Sequence, residues 1–292
     1  MEKRFEGVYV AAVTPFTEDG AIDKEAMMEN IEFMIKEGAA GIFAGGTYAE
    51  GPLLGRDYEE YFRVLAEAVK GRIPIIAQIG APDTRTVMEL AATAAACKMD
   101  AIAAVPPFYY SHDDGAIQSY FREVVASAEL PLFIYNNPAR TGNDISLALF
   151  ERLAGLKGIV GIKDSSNSLT QFCKYSMVAP DDFCLLIGSD DLVLGGLVMG
   201  AKGAVVVVGN VAPKLLVDVY KAFRAGDYEE ARKLQYRAYE YRAALKGPYI
   251  ATYKEAMNLV GLKGGYTRKP LRGLVEEEKA KLRARLEAIG AL

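Results

Sequence analysis

Few side chains in this sequence are placed to do covalent or proton-transfer chemistry, and two of them stand where short apolar runs end. Tyr135 closes Leu132-Phe-Ile134, and Lys163 follows Ile159-Val-Gly-Ile162. An amine at the end of a buried run is desolvated, which disfavours its ammonium form and lowers its pKa from about 10.4. The neutral amine attacks carbonyl carbon and forms a Schiff base. The other use of such a lysine is an ion pair with Asp164 or Asp190, and position alone does not separate the two. Tyr135 reads either as a proton carrier, its phenol tuned by neighbours, or as an aromatic with a satisfied hydroxyl. Arg140 lies in a turn fixed by Pro138 and Gly142, where a planar guanidinium suits a carboxylate substrate or a loop-anchoring salt bridge. Thr47, after Gly45-Gly46, offers a hydroxyl where backbone approaches a ligand closely, or simply completes a turn.

Residue supply excludes other chemistries. The single histidine, His112, sits in the polar stretch Tyr110-Ser-His-Asp-Asp-Gly115, which reads as a loop or helix cap rather than part of a nucleophilic triad. With Cys97, Cys173 and Cys184 scattered, no metal site built on His and Cys is expected. An odd set of cysteines in apolar settings fits a reduced, cytoplasmic protein. Against 38 Asp+Glu there are 34 Lys+Arg, a net charge of −4, so no nucleic-acid partner is expected. No apolar run approaches the roughly 18 residues of a membrane span. Lys3 and Arg4 before Val8–Val13 faintly echo a signal peptide, but the run is short and passes directly into Thr14-Pro-Phe16, which reads as a first buried strand.

The elements that would position these residues alternate. Strands are expected at Val8–Val13, Gly41–Ala44, Ile73–Ile79, Ala101–Val105, Leu132–Tyr135, Ile159–Ile162, Cys184–Ile187 and Ala204–Val208. None shows polar alternation, the pattern of parallel strands covered on both faces. Amphipathic stretches separate them at Lys24–Glu37, Arg56–Lys70, Thr84–Lys98, 115–128, 146–154, 168–178, 191–199 and 213–224, with Asp23, Asp57, Asp83 and Ser146 at helix openings. Eight such units in about 225 residues give an α/β fold, a (β/α)8 TIM barrel. A doubly wound sheet would need a Gly-rich phosphate turn after the first strand, and Thr14-Pro-Phe-Thr-Glu-Asp19 is not one. Beyond the barrel, 1–225, a C-terminal helical extension, 226–292, is expected to pack on it. Its helices are Tyr228–Ala244, Ala251–Val260 and Glu276–Ala288, with a polar connection at Lys263–Pro270.

Tyr135-Asn-Asn-Pro-Ala-Arg-Thr-Gly142 and Gly161-Ile-Lys-Asp-Ser165 resemble the motifs of the dihydrodipicolinate synthase / N-acetylneuraminate lyase family, pyruvate-dependent class I aldolases. The resemblance runs from Val10-Ala-Ala-Val-Thr-Pro15 to the C-terminal helices and is nearest to the dihydrodipicolinate synthases. It implies that Lys163 forms the Schiff base with pyruvate and that Tyr135 transfers protons. It also implies that Thr47 relays protons and holds the pyruvate carboxylate, that Tyr109 reaches into a neighbouring subunit's site, and that Gly188 and Val205 line the pyruvate pocket. A homotetramer, a dimer of dimers, is implied as well. Arg140 matches the arginine that the synthases place on the second substrate's carboxylate, so the implied reaction condenses pyruvate with aspartate semialdehyde in lysine biosynthesis. No metal or organic cofactor is needed, because the lysine amine supplies the electron sink.

Two departures stand out. Tyr48 occupies the place of the second threonine in the family's Gly-Thr-Thr-Gly-Glu loop, where it either joins the relay or fills pocket volume. Gly51, Arg56, Glu59, Pro82 and Phe108 do not reproduce the polar set of the family's lysine-feedback site. Two other functions remain open at this point. A 2-keto-3-deoxy sugar acid aldolase or N-acetylneuraminate lyase would use Tyr48, Ser165, Ser189 and Asn210 on a polyol. A non-catalytic paralogue would bind a 2-oxo acid without turnover.

Overall fold

The computed structural model describes residues 5–292; Lys3 and Arg4 lie outside them. Eight strands, β1 (Gly7–Ala11), β2 (Gly41–Ala44), β3 (Ile75–Gln78), β4 (Ala101–Ala104), β5 (Leu132–Asn136), β6 (Ile159–Asp164), β7 (Cys184–Ile187) and β8 (Gly203–Val206), follow the sequence pattern. They pair in order, all parallel, and β8 returns to β1 to close a barrel. The fold is the expected (β/α)8 barrel. Every strand residue is buried, which is why the runs carry no polar alternation.

Inside the barrel, large rings lie over missing side chains. A Cβ on Gly41 would sit 2.1 Å from the Tyr9 ring, and one on Gly161 would sit 2.4 Å from the Phe133 ring. Phe43, Phe133, Tyr135, Leu186 and Val205 belong to this inner cluster. The outer faces of the strands pack on helices α1 (Lys24–Lys36), α2 (Tyr58–Val69), α3 (Thr84–Ala96), α4 (Asp114–Ser127), α6 (Leu147–Ala154), α7 (Leu169–Val178), α8 (Val193–Val198) and α9 (Pro213–Arg224), while the single helical turn α5 (Pro138–Thr141) follows β5 directly. Asp23, Asp83, Asp113, Ser146 and Ser168 cap α1, α3, α4, α6 and α7 through their side chains. Asp57 does not cap α2; a 3-10 turn at Gly55–Asp57 precedes that helix, and the carboxylate instead accepts from Arg268 at 2.7 Å.

Two details of β5 and β6 decide where chemistry is placed. The strand ladder continues past Ile162, because Lys163 has a backbone partner on each side, Tyr135 in β5 and Leu186 in β7. Lys163 therefore lies within the strand rather than after it. The β5–β6 register shifts between Leu132↔Ile159 and Phe133↔Gly161, leaving Val160 as an extra residue. Such a bulge changes which face the following residues take. Ile159 and Ile162 both face the outer core, three residues apart rather than two, and Gly161 and Lys163 turn inward.

The chain ends in α10 (Tyr228–Ala244), α11 (Tyr249–Leu259) and α12 (Glu276–Ala288). The connection from α11 to α12 returns to the loop after β2. Tyr266 bridges to Phe16, and Arg268 donates to the carbonyls of Gly20, Leu53 and Leu54. Beneath it Lys254 pairs with Glu50 at 2.6 Å, both side chains being buried, and the Arg268 N–H donates to the same carboxylate at 2.7 Å. Burial pulls the Lys254 amine down to about 8, against the pull of Glu50. Removing one partner of such a pair strands a charge in low dielectric. Lys254→Met is therefore expected to destabilise the fold by about 3–5 kcal/mol in denaturant unfolding. The double substitution Glu50→Gln with Lys254→Met should recover at least half of that loss.

Candidate active site

Because Tyr135 and Lys163 are partners in register, their 28-residue separation (163 − 135) is one turn of the β-α-β path around the barrel. The Lys163 amine lies 3.7 Å from the centre of the Phe43 ring and 3.9 Å from that of Tyr135. It is 4% exposed, and among the described residues no carboxylate comes within ion-pairing distance. Asp164, adjacent in sequence, accepts from Asn136 at 3.0 Å and from Ser166 at 2.7 Å. Asp190 accepts the N–H groups of Val207 and Val208 at 2.9 and 2.8 Å. Neither salt bridge considered for Lys163 is formed. Burial lowers the amine's pKa, opposed chiefly by the Tyr135 phenol. For Tyr135 itself burial works upward, but Lys163, Thr47 and Asn137 outweigh it and favour the ionised phenol. The Asn137 side chain donates to the phenol oxygen at 2.9 Å. The two groups are tuned toward each other, the arrangement proton transfer requires.

A cavity of ≈ 460 Å³ opens beside this pair. Thr47, Gln78, Tyr135, Asn137, Arg140 and Tyr249 contribute its polar wall, and Pro270, Leu271 and Arg272 of the α11–α12 connection close one side. Tyr135 is the wall residue that touches the amine; Lys163 lies behind it. The Arg140 guanidinium is 4.3 Å from the centre of the Tyr249 ring, is exposed, and forms no ion pair among the described residues. It is thus not a loop anchor.

The other candidate site residues singled out in the sequence do not line this cavity. Tyr48 is not part of this wall. Its ring lies tilted over Tyr249 (centres 4.7 Å apart) and edge-on to Tyr253 (4.9 Å), and its hydroxyl accepts from Arg242 at 3.1 Å. It lines a second cavity of ≈ 370 Å³ with Asp191, Tyr239, Arg242 and Lys246. Burial pushes its phenol pKa strongly upward, with Tyr253 adding to the shift, so it stays protonated. Gly188 lies at the end of β7, where a Cβ would meet Ser165 and come within 2.8 Å of the Asp164 carbonyl. Val205 is packed in the inner barrel cluster. Like Lys163, neither lines the open cavity, and Val205 shares its cluster with Phe43 and Tyr135, the rings beside the amine. Tyr109 is 86% exposed, with φ of 82°, its ring edge-on to Tyr110. Phe43, Asn137, Tyr249 and Arg272 were not singled out in the sequence. Only Asn137, inside the Tyr-Asn-Asn-Pro run, carried a local signal.

The chain matches the dihydrodipicolinate synthetase family over residues 4–289. It is 38% identical over 288 residues to an uncharacterized DapA-like lyase of Halobacterium salinarum, covering 98% of this chain and 94% of that protein. To the 4-hydroxy-tetrahydrodipicolinate synthase of Methanopyrus kandleri it is 34% identical over 293 residues, covering 99% of this chain and 98% of that one. Its fold is similar, with a TM-score of 0.94 and 30% identity over 99% of both chains, to YagE, a prophage protein of the dihydrodipicolinic acid synthase family from E. coli K12 in complex with pyruvate.

A lowered Lys163 pKa has a direct readout. Only the free amine is nucleophilic, so its reactivity rises with pH and levels off once the ammonium is gone. Acylation of Lys163, followed by peptide mass spectrometry across pH, should level off well below the value of about 10.4 expected of solvated lysines. A midpoint at that value would show the amine to be solvated.

Proposed function

The chain belongs to the dihydrodipicolinate synthetase family, and on that premise we propose that it is a 4-hydroxy-tetrahydrodipicolinate synthase, joining pyruvate to aspartate semialdehyde through an imine on Lys163. As a member it is a class I, Schiff-base lyase. The observation that carries the finer reading is the pairing of two features around one wall. A desolvated amine touches Tyr135, and the Arg140 guanidinium shares that wall; among the described residues neither has a carboxylate partner.

The steps follow from these groups. The neutral Lys163 amine adds to the keto carbon of pyruvate, and loss of water leaves the imine. Tyr135, held by Asn137 and facing Thr47, shuttles the protons of addition and dehydration and takes part in removing a methyl proton to give the enamine. The enamine carbon attacks the aldehyde of the second substrate, whose oxygen is protonated. The amine of that substrate then closes on the imine carbon and expels Lys163, so that one water is released overall. Arg140 receives the acceptor's carboxylate.

The relatives support this assignment by name: one is a synthase of this product, and another was solved with pyruvate. Three of the four groups a polyol acceptor would use are occupied. The Asn210 side chain holds the backbone of Val13 and Ala11, Ser165 donates to the Gly188 carbonyl, and Tyr48 is held by Arg242. The exposed Tyr109–Tyr110 pair fits contact with a second copy, in keeping with a homotetramer. Unpaired Cys97, Cys173 and Cys184 fit the cytoplasm. No helix among the described residues is long and apolar enough to cross a membrane.

Borohydride reduction in the presence of pyruvate should leave a pyruvyl adduct on the Lys163 peptide, and Lys163→Ala should abolish it. An adduct on a different lysine, or none, would sink the imine assignment. Tyr135→Phe is expected to lower kcat by about 10²–10⁴. Arg140→Ala should leave trapping intact and cut kcat/KM for aspartate semialdehyde by about 10–100-fold, the worth of a charge-assisted contact.

A further inference from the structure

The residue that breaks the loop motif, Tyr48, lies against Tyr249, the ring that the Arg140 guanidinium faces. Tyr249, at the start of α11, lines both cavities, and its ring takes two neighbours: Arg140 at 4.3 Å from its centre and Tyr48 at 4.7 Å, tilted by 32°. The negative face of a phenol ring attracts a guanidinium, and stacked rings fix one another's tilt. Tyr48 is fixed in turn. Its hydroxyl accepts from Arg242, which also donates to the Tyr253 hydroxyl, and its ring meets Tyr253 edge-on at 73°. Arg242 stays charged despite burial, because the phenols of Tyr253 and Tyr48 and the Asp190 carboxylate favour its cationic form. A chain of contacts thus runs from Arg242 in α10 through Tyr48 and Tyr249 to Arg140.

We propose that Tyr48 and Tyr249 are positioning residues for the acceptor's carboxylate, holding the Arg140 guanidinium at the cavity wall through their stacked rings. This rests on the reading of Arg140 given above and deepens it. A threonine at position 48 has no ring to stack on Tyr249 and cannot reach Arg242 in the same way. The substitution therefore acts on acceptor binding and not on the proton relay at Tyr135. Arg140 itself is exposed on the single helical turn α5, and among the described residues no carboxylate holds it, so the ring is the contact that sets its direction.

The test separates the two substrates. Initial rates are measured with pyruvate and aspartate semialdehyde for the unsubstituted chain and for Tyr249→Ala, Tyr249→Phe, Tyr48→Thr and Tyr48→Phe. Tyr249→Ala and Tyr48→Thr are expected to raise KM for aspartate semialdehyde about tenfold, the scale of a cation–π contact, while KM for pyruvate and adduct formation on Lys163 hold. Tyr249→Phe keeps the ring and should keep KM for the semialdehyde within about twofold. Tyr249 is 42% exposed, so its truncation tests the idea even if Tyr48→Thr does not fold. Equal losses for both substrates, or no change in KM for the semialdehyde, would overturn the proposal. So would a fall in kcat with a displaced pH profile in Tyr48→Phe, which would place Tyr48 in the relay. If the unsubstituted chain traps pyruvate but does not consume aspartate semialdehyde, the acceptor reading fails and this inference falls with it. If it consumes the semialdehyde and only the variants behave otherwise than expected, this inference alone fails.

Discussion

A primary amine held inside a closed barrel, with two aromatic faces beside it and no carboxylate of the described residues at ion-pairing distance, constrains everything else around it. Phe43 and Tyr135 offer ring faces that favour an ammonium, yet burial of Lys163 dominates and its pKa falls. That balance holds only while the nearby acids are kept busy. Asp164 follows Lys163 directly in β6 but points to the other face, where Asn136 and Ser166 satisfy it. Asp190 is spent on two backbone N–H groups at the end of β8. An ion pair with either acid would raise the amine's pKa and take away its nucleophilicity. The polar contacts around β6 therefore serve the amine by directing these carboxylates elsewhere.

How much of this could be read from residues alone depends on the range of the interaction that fixes each one. The barrel was legible because burial on both faces leaves its mark in every run, from Ile75–Gln78 to Gly203–Val206. The pairing of Tyr135 with Lys163 was legible as a spacing, since one strand-helix-strand unit separates them. The length of β6 was not. A lysine and an aspartate look like the end of a strand until their partners in β5 and β7 are known. The extra residue Val160 was equally hidden, because a β-branched apolar side chain suits either face of a doubly covered strand.

Residues whose place is set by distant polar partners were the least legible. Tyr48 stands out in its loop, but its direction depends on Arg242, 194 residues later. Asp57 has the sequence of a helix cap and is diverted by Arg268. Lys263–Pro270 reads as a polar connection, and it becomes part of a wall because Glu50, Lys254 and Arg268 fasten it to the loop after β2. In each case the local pattern names the residue correctly and the long-range contact decides its work.

The two halves of the proposed reaction draw on different parts of the molecule. The amine and the phenol project from adjacent strands, whose ladder fixes them to each other. Arg140, Tyr249, Leu271 and Arg272 come from the short helix α5, the start of α11 and a long connection, none of which belongs to the sheet. A change among the second group can therefore redirect the cavity toward another acceptor and leave the strand-borne pair undisturbed. Thr47 and Tyr48 show how narrow the boundary is. They are neighbours in one loop, yet Thr47 faces the phenol of Tyr135 while Tyr48 leans on Tyr249 and α10. A substitution one position along falls on the side of Tyr249 and α10, which is how the loop can depart from the family's pattern with the amine and its phenol still in place.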